Sequence, residues 1–386
     1  MRLLRAVLSI VAGLLVSVLL AELVLRELPV NMGLYRTQNH AAWPLHAYAP
    51  HLHFTYSITW QMLHPIRGTT NNYGQIAPFD YVPGSNPVAI IGDSFIEALM
   101  NRPQDTLQGE LGRMLYPETP VYGLGFSGNS LAEYIAIARM ARSEFSPIAM
   151  VFLIIDNDVK ESWSNRTGHR YFQIYGDNVI ESYLPLDTVS LAQRIRHVVG
   201  DSALYRYIQV NLGFTLEGVI ARRTKFQQIS SVASSTEFER MSRVATEYFL
   251  TNLPTAAGLP SDRLILVFDS DRERIYDSSR IPRHGIDSQK TQKYFKELAQ
   301  KLGFKIVETD SIFAEHFRLN HRKFDYTPID RHWNGLAHRL VASEVCRKLT
   351  QATEQSDSVQ LLVNKKQAMR CSNTSTLNLT LAPAKQ

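Results

Sequence analysis

Three side chains that together could carry out nucleophilic chemistry at a carbonyl lie far apart in this 386-residue chain: Ser94, Asp330 and His332. A serine hydroxyl is a weak nucleophile at neutral pH. An imidazole whose pKa lies near the working pH can take its proton, and a carboxylate can hold that imidazole in the useful tautomer and stabilise its protonated form. The spacing of Asp330 and His332 sets a condition on this reading. Side chains at i and i+2 share one side of a strand but do not face each other on a helix, so residues 330 to 332 must be extended, with Arg331 pointing away. The competing arrangement has His332 oriented by Asp325 or by a backbone carbonyl, with Asp330 only capping the helix that follows.

The elements that must position these groups are legible as short apolar runs. Val88-Ala89-Ile90-Ile91 stops at Gly92-Asp93-Ser94-Phe95, which reads as a central strand ending in a strand-to-helix turn. Such a turn exposes the Ser94 hydroxyl and leaves first-turn N–H groups able to face a developing oxyanion. Asp105 can cap a helix running through Met114. Pro120 to Leu124 reads as a second strand entering a glycine-dense loop, Gly123 to Ser130, before a helical pattern from Leu131 to Phe145. Ile148 to Ile155 reads as a parallel strand buried on both faces, with Asn157 just beyond it. Ser94, Gly128 and Asn157 therefore all fall past the C-terminal ends of core strands, the edge where open α/β sheets bind ligands. The strand-helix rhythm resumes with Leu264 to Phe268, a helix from about Ser288 to Leu302, and the strand Phe304 to Glu308. Residues 159 to 260 between them read as an insertion, with a hairpin over Tyr171 to Tyr183 and helices near 189 to 212 and 235 to 252.

Taken in order, Gly92-Asp93-Ser94-Phe95, Gly128, Asn157-Asp158 and Asp330-Arg331-His332-Trp333-Asn334 resemble the four blocks of the SGNH hydrolase superfamily, also called GDSL esterases and lipases. Phe95 stands where the family usually has Leu. The last block departs further: the usual acid position, three before the histidine, is Ile329, and the acid is Asp330. The Asp-x-His-Trp arrangement resembles that of the membrane-anchored bacterial branch that is similar to alginate-type O-acetyltransferases, except that Ala337 rather than Gly precedes His338. The resemblance spans roughly residues 70 to 350. It implies a three-layer α/β/α sandwich with a mostly parallel, flavodoxin-like five-stranded sheet, and a catalytic set of Ser94, His332 and Asp330. It also implies an oxyanion hole from the Ser94 and Gly128 N–H groups and the Asn157 amide. The chemistry expected is ester hydrolysis through an acyl-serine, on O-acylated envelope or exported polysaccharide. The alternatives are O-acetyl transfer to a polysaccharide, and a tethered carbohydrate-binding protein without turnover. No metal or organic cofactor is expected.

Composition bounds the rest. The chain is 45% hydrophobic and 20% charged, with a formal net charge of +5; no Lys/Arg block interleaves with aromatics, so no nucleic-acid partner is expected. Arg2 and Arg5 precede an uncharged apolar stretch from Ala6 to Ala21, which reads as a membrane anchor, with a cleaved signal segment as its rival. By the positive-inside rule the body would face the periplasmic side of a bacterial inner membrane. The expected organisation is an anchor or signal segment (1–26), an aromatic-rich stalk draped on the domain (27–85), a catalytic domain (86–353) with the 159–260 insertion, and a polar tail (354–386). His40, His46, His51 and His53 match no tight metal-ligand spacing and read as incidental. Cys346 and Cys371 could form one disulfide or remain as two thiols.

Overall fold

The computed structural model of the chain describes residues 2–37, 44–185, 200–214, 235–280 and 286–351. In chain order these form α1 (Arg2–Glu27), β1 (His53–Ile58), β2 (Leu63–Thr69), β3 (Val88–Gly92), α2 (Ser94–Glu97), α3 (Leu107–Leu115), β4 (Val121–Gly125), α4 (Leu131–Phe145), β5 (Ala149–Ile154) and α5 (Asp158–Ser162). The hairpin β6 (Arg170–Tyr175) and β7 (Asn178–Tyr183) follows, then α6 (Ala203–Arg206), α7 (Ser235–Ala257), β8 (Leu264–Phe268), α8 (Arg272–Tyr276), α9 (Ile286–Lys301) and β9 (Lys305–Glu308). Helix α10 (Thr309–Asn320), the short pair β10 (Asp325–Tyr326) and β11 (Asp330–Trp333), and α11 (Gly335–Gln351) complete the fold.

Five strands make one parallel sheet in the order β4-β3-β5-β8-β9. The first strand in sequence lies inside the sheet and the chain winds outward from it in both directions, the flavodoxin-like order. Because strand side chains alternate, Ala89 and Ile91 face one core layer with α4, α7 and α9, whereas Val88 and Ile90 face the other with α3 and α11. Strands β3, β4, β5 and β8 are buried throughout, which explains their unbroken hydrophobic runs. Phe152 and Phe268 are fully buried in this core; truncating either to Ala would cost about 3–5 kcal/mol.

Three boundaries differ from the sequence reading. Thr106, not Asp105, caps α3: Pro103 to Asp105 already form a 3₁₀ turn, and the Thr106 Oγ1 accepts the Gly109 N–H at 3.2 Å. The hairpin lies where the insertion was expected, but α7 is a crossover helix of the sandwich, burying Phe249, Leu250 and Leu253 between α4 and α9. The 189–199 part of the expected insertion helix lies outside the described residues. The aromatic-rich segment folds into a hairpin, β1–β2. Its Tyr48 and Phe54 make a small core with Phe126 at the end of β4. Helix α1 is 26 residues long, with no buried residue and exposed from Arg2 to Leu20, and is long and apolar enough to cross a membrane. Near its C-terminal end, Glu22 accepts hydrogen bonds from the Ala203 and Leu204 N–H groups at 3.0 and 2.9 Å. Cys346 is buried and disulfide-bonded; Cys371 lies outside the described residues.

Candidate active site

The site is assembled at the C-terminal edge of the sheet. At the end of β3, Asp93 caps α2, its carboxylate accepting the Phe95 N–H at 3.0 Å. Ser94 is thereby fixed as the first residue of that helical turn. The turn can press onto the neighbouring strand only because position 125 lacks a side chain. A Cβ on Gly125 would come within 2.5 Å of the Ile96 Cβ and 2.7 Å of the Glu97 N, so even alanine would push α2, and Ser94 with it, off the sheet.

Asp330 to Trp333 is a strand, paired antiparallel with Asp325–Tyr326, so the extended condition is met. The Ser94 hydroxyl lies 2.8 Å from the His332 Nε2, and the His332 Nδ1 lies 2.6 Å from the Asp330 Oδ1. The same Asp330 oxygen accepts the His332 backbone N–H at 2.8 Å. Nδ1 therefore donates to a carboxylate, leaving the Nε2 lone pair for the serine proton. Arg331 points the other way, to Glu273 at 2.8 Å. The competing acid is occupied elsewhere: the Asp325 carboxylate accepts from Arg272 Nε at 3.0 Å and from the Thr327 N–H at 3.2 Å.

The electrostatics follow from this chain of contacts. Burial would lower the His332 pKa, but the hydrogen bond and charge of Asp330, with Asp93 and Glu97 nearby, carry it above its usual value. Burial would raise Asp330, and the hydrogen bond to His332 reverses it, so its pKa lies below the ordinary carboxylate range. Asp93, buried and 3.2 Å from the Ser94 Oγ, is pushed up to about 6 by desolvation. The two carboxyl groups of Asp330 and Asp93, near one imidazole, are thus pushed in opposite directions by their environments, with Asp330 the more acidic.

The two remaining expected residues stand at the adjoining strand ends. Gly128, after β4, has φ +89°, and a Cβ there would meet the His169 Cε1 at 3.1 Å. Asn157 follows β5, and one N–H of its side-chain amide goes to the Glu161 Oε1 at 2.7 Å, leaving the second for a ligand. Glu161 pairs with Arg166 at 2.7 Å, and Arg166 donates to the Gly128 carbonyl at 2.8 Å. One charged bridge thus ties Asn157 to the Gly128 loop.

Sequence reasoning missed the residues that brace this site. Arg272 is buried and joins Asp269, Asp325 and the Arg331 carbonyl (2.6 Å), locking the β10–β11 pair to the end of β8. Trp333, fully buried, donates its Nε1–H to Asp269 at 2.8 Å. Phe95 packs its ring 4.8 Å from the His332 ring and under the Arg272 guanidinium at 5.6 Å, which accounts for an aromatic side chain there. Buried Glu97 accepts from the Tyr48 hydroxyl at 2.6 Å and the Ser127 N–H at 3.1 Å. His338 is a core residue, accepting the Leu107 N–H at 3.1 Å, and burial pushes it down to about 3. The i,i+4 spacing of Asn157 and Glu161 and the i,i+3 spacing of Asp269 and Arg272 left local signals; the other braces are long-range.

No protein-family model matches the chain, and no curated protein matches it. Among solved structures, the chain is similar to an α/β hydrolase, a member of the lipolytic G-D-S-L family and an acetylxylan esterase. One is LAE5, an α/β hydrolase enzyme from the metagenome of Lake Arreo, Spain, 15% identical, with 69% of this chain and 96% of that one covered and a TM-score of 0.36. Another is a member of the lipolytic protein G-D-S-L family from Veillonella parvula DSM 2008, 10% identical, with 70% and 99% covered and a TM-score of 0.34. A third is Axe2, an acetylxylan esterase from Geobacillus stearothermophilus, 15% identical, with 69% and 95% covered and a TM-score of 0.36. At these values the chemistry of this chain rests on its own geometry.

Proposed function

We propose that this chain is a serine ester hydrolase working through an acyl-serine, with Ser94 as nucleophile, His332 as general base and then acid, and Asp330 as the carboxylate that orients it. The observation that carries this reading is the continuous contact from Ser94 Oγ to His332 Nε2 (2.8 Å) and from His332 Nδ1 to Asp330 (2.6 Å) on three separate chain positions. In the first half-reaction Ser94 Oγ attacks the ester carbonyl while its proton passes to Nε2. The tetrahedral oxyanion is met by the Ser94 and Gly128 N–H groups and the second Asn157 amide N–H, and the alcohol leaves with the proton from Nε2. Water repeats the sequence and releases the acid. Each oxyanion donor supplies on the order of 3 kcal/mol of transition-state stabilisation.

The substrate in this reading is an O-acylated, chiefly O-acetylated, carbohydrate of the envelope or an exported polysaccharide. We place α1 in a bacterial inner membrane with the catalytic domain on the periplasmic side. Its length and hydropathy support a span, and the contacts of Glu22 with Ala203 and Leu204 favour a retained anchor over a cleaved signal. The proposed organisation is the anchor (1–26), the aromatic-rich segment (27–85), the catalytic domain (86–353) and the tail (354–386). The Asp-x-His-Trp block keeps a second reading, acyl transfer to a sugar hydroxyl, in which that hydroxyl replaces water. The test is hydrolysis of p-nitrophenyl acetate by the full chain in detergent, with Ser94→Ala as control. Equal rates for the two proteins, or an inactive wild type, would overturn the esterase reading. Free acetate from an acetylated polysaccharide, as against acetyl appearing on an added sugar acceptor, separates hydrolysis from transfer.

A further inference from the structure

A second cluster of chemistry-bearing side chains lies beside the Gly128 loop and has no part in the mechanism above. His46 comes from the aromatic-rich segment, Glu133 from the first turn of α4, and His169 from the turn before β6. One ligand atom from each lies within 4.8 Å of the others, and the three are the one such group among the described residues. The His169 Nδ1 is 3.0 Å from the Glu133 Oε1, and the His46 and His169 rings meet edge to face at 4.9 Å. His46 is only 3% exposed, its Nδ1 is buried with no hydrogen bond of good geometry, and the side chain of Asn129 is the neighbouring polar group that a bound ion would have to outcompete. An orphaned imidazole nitrogen in the interior costs free energy unless something is bound to it.

We propose that His46, Glu133 and His169 bind a single zinc-type divalent cation, with the fourth position open toward the partly exposed side of His169. The donor set is two imidazoles and one carboxylate, which suits Zn²⁺ or Co²⁺ and not Ca²⁺ or Mg²⁺, whose shells are all oxygen. Ligands about 2.0–2.2 Å from a tetrahedral ion stand roughly 3.4 Å apart, so movement on the order of 1 Å closes the shell. The carboxylate is already aimed: the Arg170 N–H donates to Oε1 at 2.9 Å, and the Ser130 hydroxyl and N–H donate to Oε2 at 2.8 and 3.0 Å. Outer partners of this kind fix a ligand's orientation. The guanidinium of Arg36, over the Phe126 ring at 4.8 Å, and Arg170 add positive charge nearby. Affinity must then come from imidazole coordination more than from net charge. Bound there, the ion would clip the aromatic-rich segment and the β6 turn to the start of α4, immediately after the Gly128 loop.

The test uses the full chain in detergent, purified through a tag without histidine, stripped with EDTA and titrated with CoCl₂. One Co²⁺ per chain is expected, with the visible d–d bands of a four- or five-coordinate site, bleached by ZnCl₂. His46→Ala and His169→Gln should each weaken Co²⁺ binding about a hundredfold or more, because two remaining ligands seldom hold the ion. Ser94→Ala should leave it unchanged, so the outcome does not depend on the esterase reading. His169 is partly exposed, and His169→Gln therefore serves if His46→Ala fails to fold. Zn²⁺ should raise the melting temperature of the wild type and not that of His169→Gln. Absence of stoichiometric binding by the wild type, or binding that survives His169→Gln unchanged, would show that Glu133 and His169 are only a hydrogen-bonded pair and overturn the proposal.

Discussion

Asp330→Asn is the most informative perturbation, because the change is nearly isosteric and its cost can be worked from the geometry. The Asp330 Oδ1 receives both the His332 Nδ1–H and the His332 backbone N–H, and the two side chains are 16% and 29% exposed. An asparagine can respond in two ways. If its amide oxygen stays toward the ring, the tautomer survives but the imidazolium formed on proton transfer loses its counter-charge. At about 4 Å between charge centres and an effective dielectric of about 20, that attraction is worth about 4 kcal/mol, a factor of roughly 10³ in rate. If the amide turns its NH₂ toward Nδ1, the ring proton moves to Nε2 and no base faces Ser94, a loss on the order of 10⁴. Either way kcat/KM for p-nitrophenyl acetate should fall by about 10³ to 10⁴, with an unchanged melting temperature and circular dichroism. The pH profile gives a second reading. His332 acts as a base only when neutral, and its raised pKa sets the acid limb of the wild type above the ordinary histidine value. Without Asp330 the dominant opposing influence is burial, so the residual activity should have its acid limb at lower pH. Activity within about tenfold of wild type, or an acid limb that does not move, would refute the role given to Asp330.

Three other changes probe different parts of the site. Asn157→Ala should lower kcat by roughly 10²–10³ with little effect on stability, because its donor meets charge that exists only in the transition state; a full-rate variant would remove it from the oxyanion hole. Arg272→Ala should destabilise the fold by about 3–5 kcal/mol in urea unfolding, since it strands Asp269 and Asp325 in the interior. A loss below about 1 kcal/mol would mean that water replaces the guanidinium. Asp93 is raised by burial from 3.8 to about 6, so the folded state holds its proton more tightly and stability is lost as pH rises across that window. The loss is about 3 kcal/mol. Asp93→Asn should accordingly be about 1–3 kcal/mol more stable than wild type at pH 7.5 and gain nothing at pH 4; an equal difference at both pH values would show that the carboxylate is not the cause.

What the sequence determined by itself is local or periodic. The buried parallel strands were legible because burial on both faces demands continuous apolar runs, as in Val88 to Ile91 and Leu264 to Phe268. The edge carrying Ser94, Gly128 and Asn157 was legible because each follows such a run directly. The extended form of Asp330 to His332 could be stated in advance as the one backbone in which i and i+2 meet. Tertiary structure alone decided the rest. Whether Asp325 or Asp330 serves His332 depends on Arg272, 53 residues away from Asp325, claiming the first. The cap of α3 moved to Thr106 because a 3₁₀ turn, invisible to helical periodicity, took up Asp105. His46 looked incidental among its sequence neighbours, since the partners it meets, Glu133 and His169, arrive from α4 and from the turn before β6. Spacing along a chain reports a ligand set only when one element supplies it. Here each cluster draws on separate elements, and only their packing against the sheet sets which side chains converge.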